Sequence, residues 1–449
     1  MDTVTRLVLF GTMCVYIPRP ALAEPPNFVI ILADDLGYGD LGCYGSTQNT
    51  TPHIDQLARK GLRFTDFHSN GPMCSATRAA LLTGCYQHRF GKRFEAALGP
   101  HDRGLPNEAV TIAEVLKNVG YRTGMFGKWH LGYSRQTWPH RQGFDAFIGL
   151  GSGDGDHLTQ VDRYGSRDWW SNDQPLVEVG YTTDLITHHS IDFIEKNKNQ
   201  PFFLYVAHLA IHFPWQGPQD LPHRKVGHDY SDDKWGILPN PQNIAPHIEA
   251  MISALDQSVG KIVTKLADLG LTEKTLVIFA SDNGGYLNYA DSHFNISSNE
   301  PLKGQKMDLE EGGHRVPAIA AWPQRIPAGS TTAATVMSMD FFPTLAGFAN
   351  APLPAHQAMD GQDLGRLLIN PQLQLPPRLL FWQKDDQWAA RRGAWKLLTG
   401  ASKPMELYDL SQDIGETTNL APDHPHLVDE LQAAWKAWND QLSAGFLTP

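Results

Sequence analysis

Asn27-Phe28-Val29-Ile30-Ile31-Leu32-Ala33-Asp34-Asp35 decides how this chain folds. Its first seven residues are a short apolar, β-branched run. A run without polar alternation reads as a strand buried on both faces. Two carboxylates follow at once. The pattern recurs in Thr275 to Ala280, which ends in Ser281-Asp282-Asn283-Gly284-Gly285, and in Tyr121 to Phe126, followed by Gly127-Lys128-Trp129-His130. Phe202 to Ala207 is a fourth strong strand. Helical signals lie between these runs. Thr51-Pro52 is a cap with a first-turn proline, closed by Gly61. Thr111 and Glu114 form a capping box, and Gly120 ends that helix. A helix begins near Thr183. Ile248, Ile252, Leu255, Val259, Ile262, Leu266 and Leu269 step by four and three, which makes a long amphipathic helix stopped by Gly270. Strands alternating with helices, with polar residues just after strands, predict an α/β fold. Its centre is a large mixed, mainly parallel sheet flanked by helices, with ligands outside the carboxyl ends of the strands.

Outward from this core the organisation is simple. Arg6, the apolar run Leu7 to Ile17 and Ala21-Leu22-Ala23 before Glu24 read as a signal peptide over residues 1–23, so the protein is expected to be exported, to a periplasm or the outside. The run is too short to span a bilayer, and no other stretch is long enough. Ile369 to Pro377 is rich in proline and marks a boundary. The expected division is a catalytic domain over residues 24–371 and a C-terminal subdomain over residues 372–449. Strand-like pieces at Leu379 to Trp382 and Trp395 to Leu398, then a helix at about Pro425 to Leu442, give that subdomain a small antiparallel sheet plus helix.

The 449 residues carry a net charge of −11 with 19 histidines counted as neutral, which argues against nucleic acid as a partner. An acidic protein acting on an anion needs its positive charge gathered in one place. The 31 prolines and 40 glycines imply many loops on which such a site could be built. Of four cysteines Cys14 lies in the signal, leaving Cys43, Cys74 and Cys85. With an odd number, one thiol cannot pair internally.

Four stretches carry chemistry. Cys74-Ser75-Ala76-Thr77-Arg78, running on to Leu81-Leu82-Thr83-Gly84, reads as a loop entering a helix. A helix N-terminus binds anions and activates a thiol, although a buried structural cysteine fits the same position. Asp34, Asp35, Asp282 and Asn283 offer four oxygen donors on two loops, a set suited to calcium or magnesium rather than zinc. Either pair alone could equally be N-cap groups in separate turns. Lys128 and His130 alternate along an extended segment and so face one side. His212 follows a strand, with His208 as a second candidate. Pro301 to Pro317 holds Lys303 and Lys306 in a charged loop.

These stretches together resemble the formylglycine-dependent sulfatases (arylsulfatase and N-acetylgalactosamine-6-sulfatase types) of the alkaline phosphatase superfamily, and the likeness covers almost all of residues 24–449. Their signature is Cys or Ser, any residue, Pro, a small residue and Arg, then Leu-Leu-Thr-Gly. Cys74, Arg78 and Leu81 to Gly84 match. Ala76 replaces the usual Pro and Thr77 the usual Ser, which leaves open whether a formylglycine-generating or a radical-type maturing enzyme acts on Cys74. The resemblance implies an alkaline-phosphatase-like fold and hydrolysis of sulfate esters, of a sulfated carbohydrate or an aryl alcohol, by a formylglycine gem-diol made from Cys74. It implies Ca2+, ahead of Mg2+, held by Asp34, Asp35, Asp282, Asn283 and the residue at Cys74. Cys74, Arg78, Lys128, His130, His212 and Lys306 are then the expected catalytic set, with His130 as base and His212 or Lys306 protonating the leaving oxygen.

Two other readings compete. A phosphonate or phosphate ester hydrolase of the same superfamily usually has His where Asn283 stands. A non-catalytic binder of sulfated glycans would keep Cys74 as a thiol. Arg163, Tyr164, Arg167, Trp169 and Trp170 lie in a loop-like insert that suits a sugar or simple packing equally well.

Overall fold

The computed structural model describes residues 24–232, 243–289, 293–400, 404–442 and 445–446. Residues 1–23, expected to be a signal peptide, lie outside them, Cys14 included. Asn27–Ala33 is a strand with every residue buried, at the centre of a 10-stranded sheet. Across that sheet the order is Ser330–Thr332, Leu62–Phe64, Ala318–Ala321, Thr275–Ser281, Asn27–Ala33, Phe202–Ala207, Arg122–Lys128, Ala146–Leu150, Trp170–Ser171 and Gln174–Pro175. The five strands from Thr275–Ser281 to Ala146–Leu150 are mutually parallel. Ala318–Ala321 joins them antiparallel, as does Trp170–Ser171 at the other side.

Alternation along the central strand explains its composition. Phe28, Ile30 and Leu32 enter one core and Val29, Ile31 and Ala33 the other. The helices Cys74–Thr83, Ile112–Asn118 and Phe341–Phe348 cover the first face. Pro52–Lys60, Thr182–Asn197 and Ala245–Asp268 cover the second. A side chain of either parity finds apolar partners, so neither face could be polar. Local signals behave as their chemistry requires. Thr111 Oγ1 accepts the amide of Glu114 at 3.2 Å, and the Glu114 carboxylate accepts that of Thr111 at 2.7 Å. Ala245–Asp268 is the expected long helix, with Gly270 at φ +67° just beyond its end. Thr51 behaves differently from a simple cap: its hydroxyl donates to Asp55 Oδ1 at 3.0 Å and accepts the amide of Gly42.

A second, antiparallel sheet of four strands follows, Leu379–Lys384, Gln387–Arg392, Trp395–Thr399 and Glu406–Asp409. Helix Pro425–Leu442 packs on it, with Trp388 and Trp435 stacked at 4.4 Å between centroids. Its core is continuous with Ala80, Tyr86 and Met337 of the larger layer, so the small sheet leans directly on the Cys74 helix. Gln387–Arg392 and Glu406–Asp409 escape a reading by apolar runs because charged and polar residues alternate through them. No helix among the described residues is long and apolar enough to cross a membrane.

Candidate active site

The carboxyl ends of four parallel strands meet the N-terminus of the Cys74 helix. Asp34 and Asp35 leave Asn27–Ala33, Lys128 ends Arg122–Lys128, Asp282 and Asn283 leave Thr275–Ser281, and His212 follows Phe202–Ala207. Cys74 is the first residue of its helix and is buried. Its Sγ lies 3.3 Å from Asp34 Oδ1 and 3.4 Å from Lys306 Nζ. Lys128 Nζ meets Asp34 Oδ2 at 2.5 Å, and Lys306 Nζ meets Asp35 Oδ1 at 2.5 Å. Arg78 donates to Asp282 Oδ2 through Nε and Nη2, at 3.0 and 2.8 Å, and through Nη1 to the carbonyl of Lys128 at 2.8 Å. The two acidic loops touch directly. Asn283 Nδ2 donates to Asp35 Oδ1 at 2.8 Å, and the Asp35 amide lies 3.3 Å from Asp282 Oδ1.

Backbone geometry here is unusual for the residue types. Asp35 and His130 sit at φ +63° and +53°, the left-handed region that L-residues seldom occupy. Lys128 and His130 therefore enter the site through a turn rather than by alternation along an extended segment. Gly127 precedes them at φ +114°, and a Cβ there would collide with the Ala207 carbonyl. Only glycine brings this strand close enough to its neighbour.

The electrostatics follow from burial. Cys74 is pushed up out of the usual thiol range by desolvation, reinforced by Asp282 and Asp34. Burial opposes the charge on Lys306, but Asp35 outweighs it and holds the ammonium well above its ordinary range. Asp282 is raised by burial and by Asp34, against the pull of Arg78. His130 and His212 fall well below the ordinary imidazole value, first through burial and then through Lys128; Arg78 adds to the effect at His130, Lys306 and Arg163 at His212. Both rings are neutral, and their tautomers follow from carbonyl partners, which only accept. His130 Nε2 faces Leu98 O at 3.1 Å, so Nδ1 carries the lone pair, and that atom is buried without a hydrogen-bond partner. His212 Nδ1 faces Phe213 O at 2.8 Å, leaving Nε2 open 3.9 Å from Asp35 Oδ2.

A metal ion fits this donor set. Asp34, Asp35, Cys74 and His212 offer ligand atoms within 4.8 Å of one another. Asn283 Oδ1 is buried and lacks a partner even though its own amide is fully used. Three carboxylates face three fixed cations, so the protein's own charges balance here. An anionic substrate would need surplus positive charge, which a divalent cation on these oxygens supplies.

Other candidates separate cleanly. His208 is buried away from this cluster, its Nε2 hydrogen-bonded with the Ser258 hydroxyl at 3.0 Å. Lys303 turns to the small sheet, donating to Glu416 O at 3.0 Å over the Tyr408 ring. Cys43, Cys74 and Cys85 are all free thiols. In the insert Trp169 is buried and donates to Glu178, Trp170 packs on Trp138 beneath the Arg135 guanidinium, and Arg167 donates to Thr159 O. These three are packing residues, while Tyr164 is exposed and Arg163 is ion-paired with Asp154. A buried network unseen in the sequence lies behind the site. Lys396 Nζ is 3.0 Å from Glu311 Oε1 and 2.9 Å from Glu416 Oε1, and His314 stacks on Trp382. Only the density of charge around Glu310-Glu311-Gly312-Gly313-His314-Arg315 hinted at it.

A strand-end site of this composition can handle an anionic ester, and the family to which it belongs is shown by similarity. The family model described as Sulfatase matches residues 26–351, and the chain belongs to the sulfatase family: it is a sulfuric ester hydrolase. It is 37% identical to human arylsulfatase A over 89% of this chain and 84% of that protein. It is 33% identical to N-acetylgalactosamine-6-sulfatase of Canis lupus familiaris over 83% of this chain and 71% of the relative. Among solved structures, Ps i-CgsB in complex with k-i-k-neocarrahexaose superposes with a TM-score of 0.80 at 31% identity, covering 92% of this chain and 93% of that one.

Proposed function

We propose that this sulfatase removes sulfate from a sulfated saccharide, using formylglycine generated at Cys74 and calcium held by Asp34, Asp35, Asp282 and Asn283. The observation that carries the reading is the position of Cys74 Sγ, buried between Asp34 Oδ1 and Lys306 Nζ at the start of a helix. A thiol there stays protonated and is a poor nucleophile, whereas the hydrate of an aldehyde at that carbon would supply an attacking hydroxyl and a second one to expel sulfate. Bound calcium would supply positive charge to the sulfate oxygens. Every other duty falls to side chains. Lys128 and Lys306 stand beside the acceptor carboxylates, aimed at the space a sulfate would take. Arg78 has its donors committed to Asp282 and Lys128 O, so it positions the acidic loops rather than meeting substrate. His130 Nδ1 is the open base, and His212 Nε2 or the Lys306 ammonium protonates the leaving oxygen. Two relatives support a saccharide: one is named for N-acetylgalactosamine 6-sulfate, the other was solved with neocarrahexaose. Asn283 stands against the phosphonate reading. Export after loss of residues 1–23 completes the proposal.

Intact-peptide mass spectrometry across Cys74 tests it. An active preparation carries the aldehyde or its hydrate at this position, and Cys74→Ala folds but releases no sulfate. An active preparation whose Cys74 peptide alkylates fully as a free thiol sinks the formylglycine mechanism.

A further inference from the structure

We infer that Arg163 reads a second anionic group on the substrate, a carboxylate or a further sulfate carried by the saccharide that leaves; this rests on the sulfatase reading of the site. The wall of the site beside His130 is the segment Ser152-Gly153-Asp154. A Cβ at Gly153 would collide with the His130 ring, so backbone lies directly against the imidazole. The next residue, Asp154, is 1% exposed, and its carboxylate is shared by two guanidiniums, Arg163 Nε at 3.0 Å and Arg224 Nη2 at 2.8 Å. Arg163 extends from there over the Phe213 ring, its Cζ 5.6 Å from the centroid. Phe213 in turn lies against His212, with ring centroids 4.1 Å apart. Arg163 therefore bridges the walls that carry the two site histidines.

Its presentation is built rather than accidental. A tight hairpin, with Asp162 N bonded to Ser166 O at 2.9 Å and Gly165 at φ +78°, holds Arg163 and Tyr164 at its tip. The Tyr230 amide fixes the Arg163 carbonyl at 2.8 Å. Asp154 takes Nε and Phe213 takes one face, which sets the plane of the guanidinium. Among the described residues its two terminal nitrogens have no hydrogen-bond partner, and the side chain is 27% exposed. A fixed fork of free N–H groups matches the paired oxygens of a carboxylate or sulfate. In the proposed reading the sulfate being cleaved is served by Lys128, Lys306 and the cation that the acidic loops would hold, so a group on Arg163 belongs to the leaving part of the ester.

The test uses the mature protein, wild type, Arg163→Ala and Arg163→Lys. Release of inorganic sulfate is followed on a small aryl sulfate and on three sulfated disaccharides, whose neighbouring unit is neutral, a uronic acid, or sulfated. Wild type should prefer one or both dianionic disaccharides over the neutral one. A charged hydrogen bond of about 1.5–3 kcal/mol corresponds to a loss of about 10- to 150-fold, so Arg163→Ala should lower the dianionic-to-neutral ratio of kcat/KM by that factor, mostly through KM. Arg163→Lys should recover part of it. Preference for the uronic acid or for the second sulfate identifies the anion. An unchanged ratio in Arg163→Ala, or an equal loss on all four substrates, overturns the inference. Failure of wild type to release sulfate from any of them, including the aryl ester, overturns the reading on which it rests.

Discussion

Asp282 illustrates how much one side chain in this site must do. Its Oδ2 accepts both Nε and Nη2 of Arg78, and its Oδ1 lies 3.3 Å from the Asp35 amide. Asp282→Ala removes the bidentate partner of buried Arg78, leaving it Asp34 at 3.4 Å and the Lys128 carbonyl, so excess calcium should not restore turnover; full rescue in a calcium titration would count against a ligand role. The two lysines of the 301–317 loop separate in the same way. Lys306 lies against Cys74 Sγ and Asp35, whereas Lys303 donates to Glu416 O. Lys306→Ala should cost turnover by about 10²–10³-fold, the usual loss of a placed charge-stabilising donor. Lys303→Ala should cost about 1 kcal/mol of stability and leave turnover of the same order. Steady-state kinetics on the pair decides, and the reverse ranking would reassign the loop by one lysine.

At the scale of elements, the loop carrying Lys306 is buttressed by the small sheet. Lys396, in strand Trp395–Thr399, is fully buried between Glu311 and Glu416, and the Glu311 amide donates to Glu416 Oε2 at 2.7 Å. Arg391, one strand over, bonds Asp66. Removing one partner from a buried ion network costs about 3–5 kcal/mol, because the remaining charges stay desolvated. Lys396→Met should lower the free energy of unfolding by that order and reduce kcat through Lys306. Urea unfolding and kcat measured on the same preparation check this; a variant as stable as wild type would show that water reaches the network.

For the whole molecule, acid should be destabilising. Burial pushes His88 and His157 down to about 4 and His208 to about 3, so all three rings are neutral in the fold. Asp66 and Glu311 are also held well below the carboxylate range: burial opposes this, but the arginines beside both groups, together with Lys396 at Glu311, overcome it. All five groups bind protons more readily when unfolded. The histidines' stabilisation is fully present above about pH 6.5 and drains as pH falls toward 4, while that of the two carboxylates drains only below about pH 4. Asp40 and Asp162, raised to about 6 by burial, act the other way, taking up protons in the fold first. Between pH 7 and 4.5 the three histidines stand against Asp40 and Asp162, and the larger departures of the histidines leave a net loss. The urea midpoint should therefore be lower at pH 4.5 than at pH 7, and a flat midpoint would refute the balance.

What the sequence determined is what depends on neighbours along the chain. Uninterrupted apolar runs must be buried on both faces, so the parallel sheet was legible from Asn27 to Ala33, Phe202 to Ala207 and Thr275 to Ala280. The capping box at Thr111 and the stop at Gly270 are equally local. The site's members were legible because their residue types sit just after those strands or at the head of a helix. Geometry among distant residues was not. Nothing local separates His212 from His208, or Lys306 from Lys303, because each choice depends on which side chain reaches Asp35. The left-handed turn at His130 and the polar strands of the small sheet were equally hidden. So was the division of the insert into packed Trp169 and Trp170 and an Arg163 anchored on Asp154. Only the tertiary structure decides these, because burial and pairing are set by groups brought together from opposite ends of the chain.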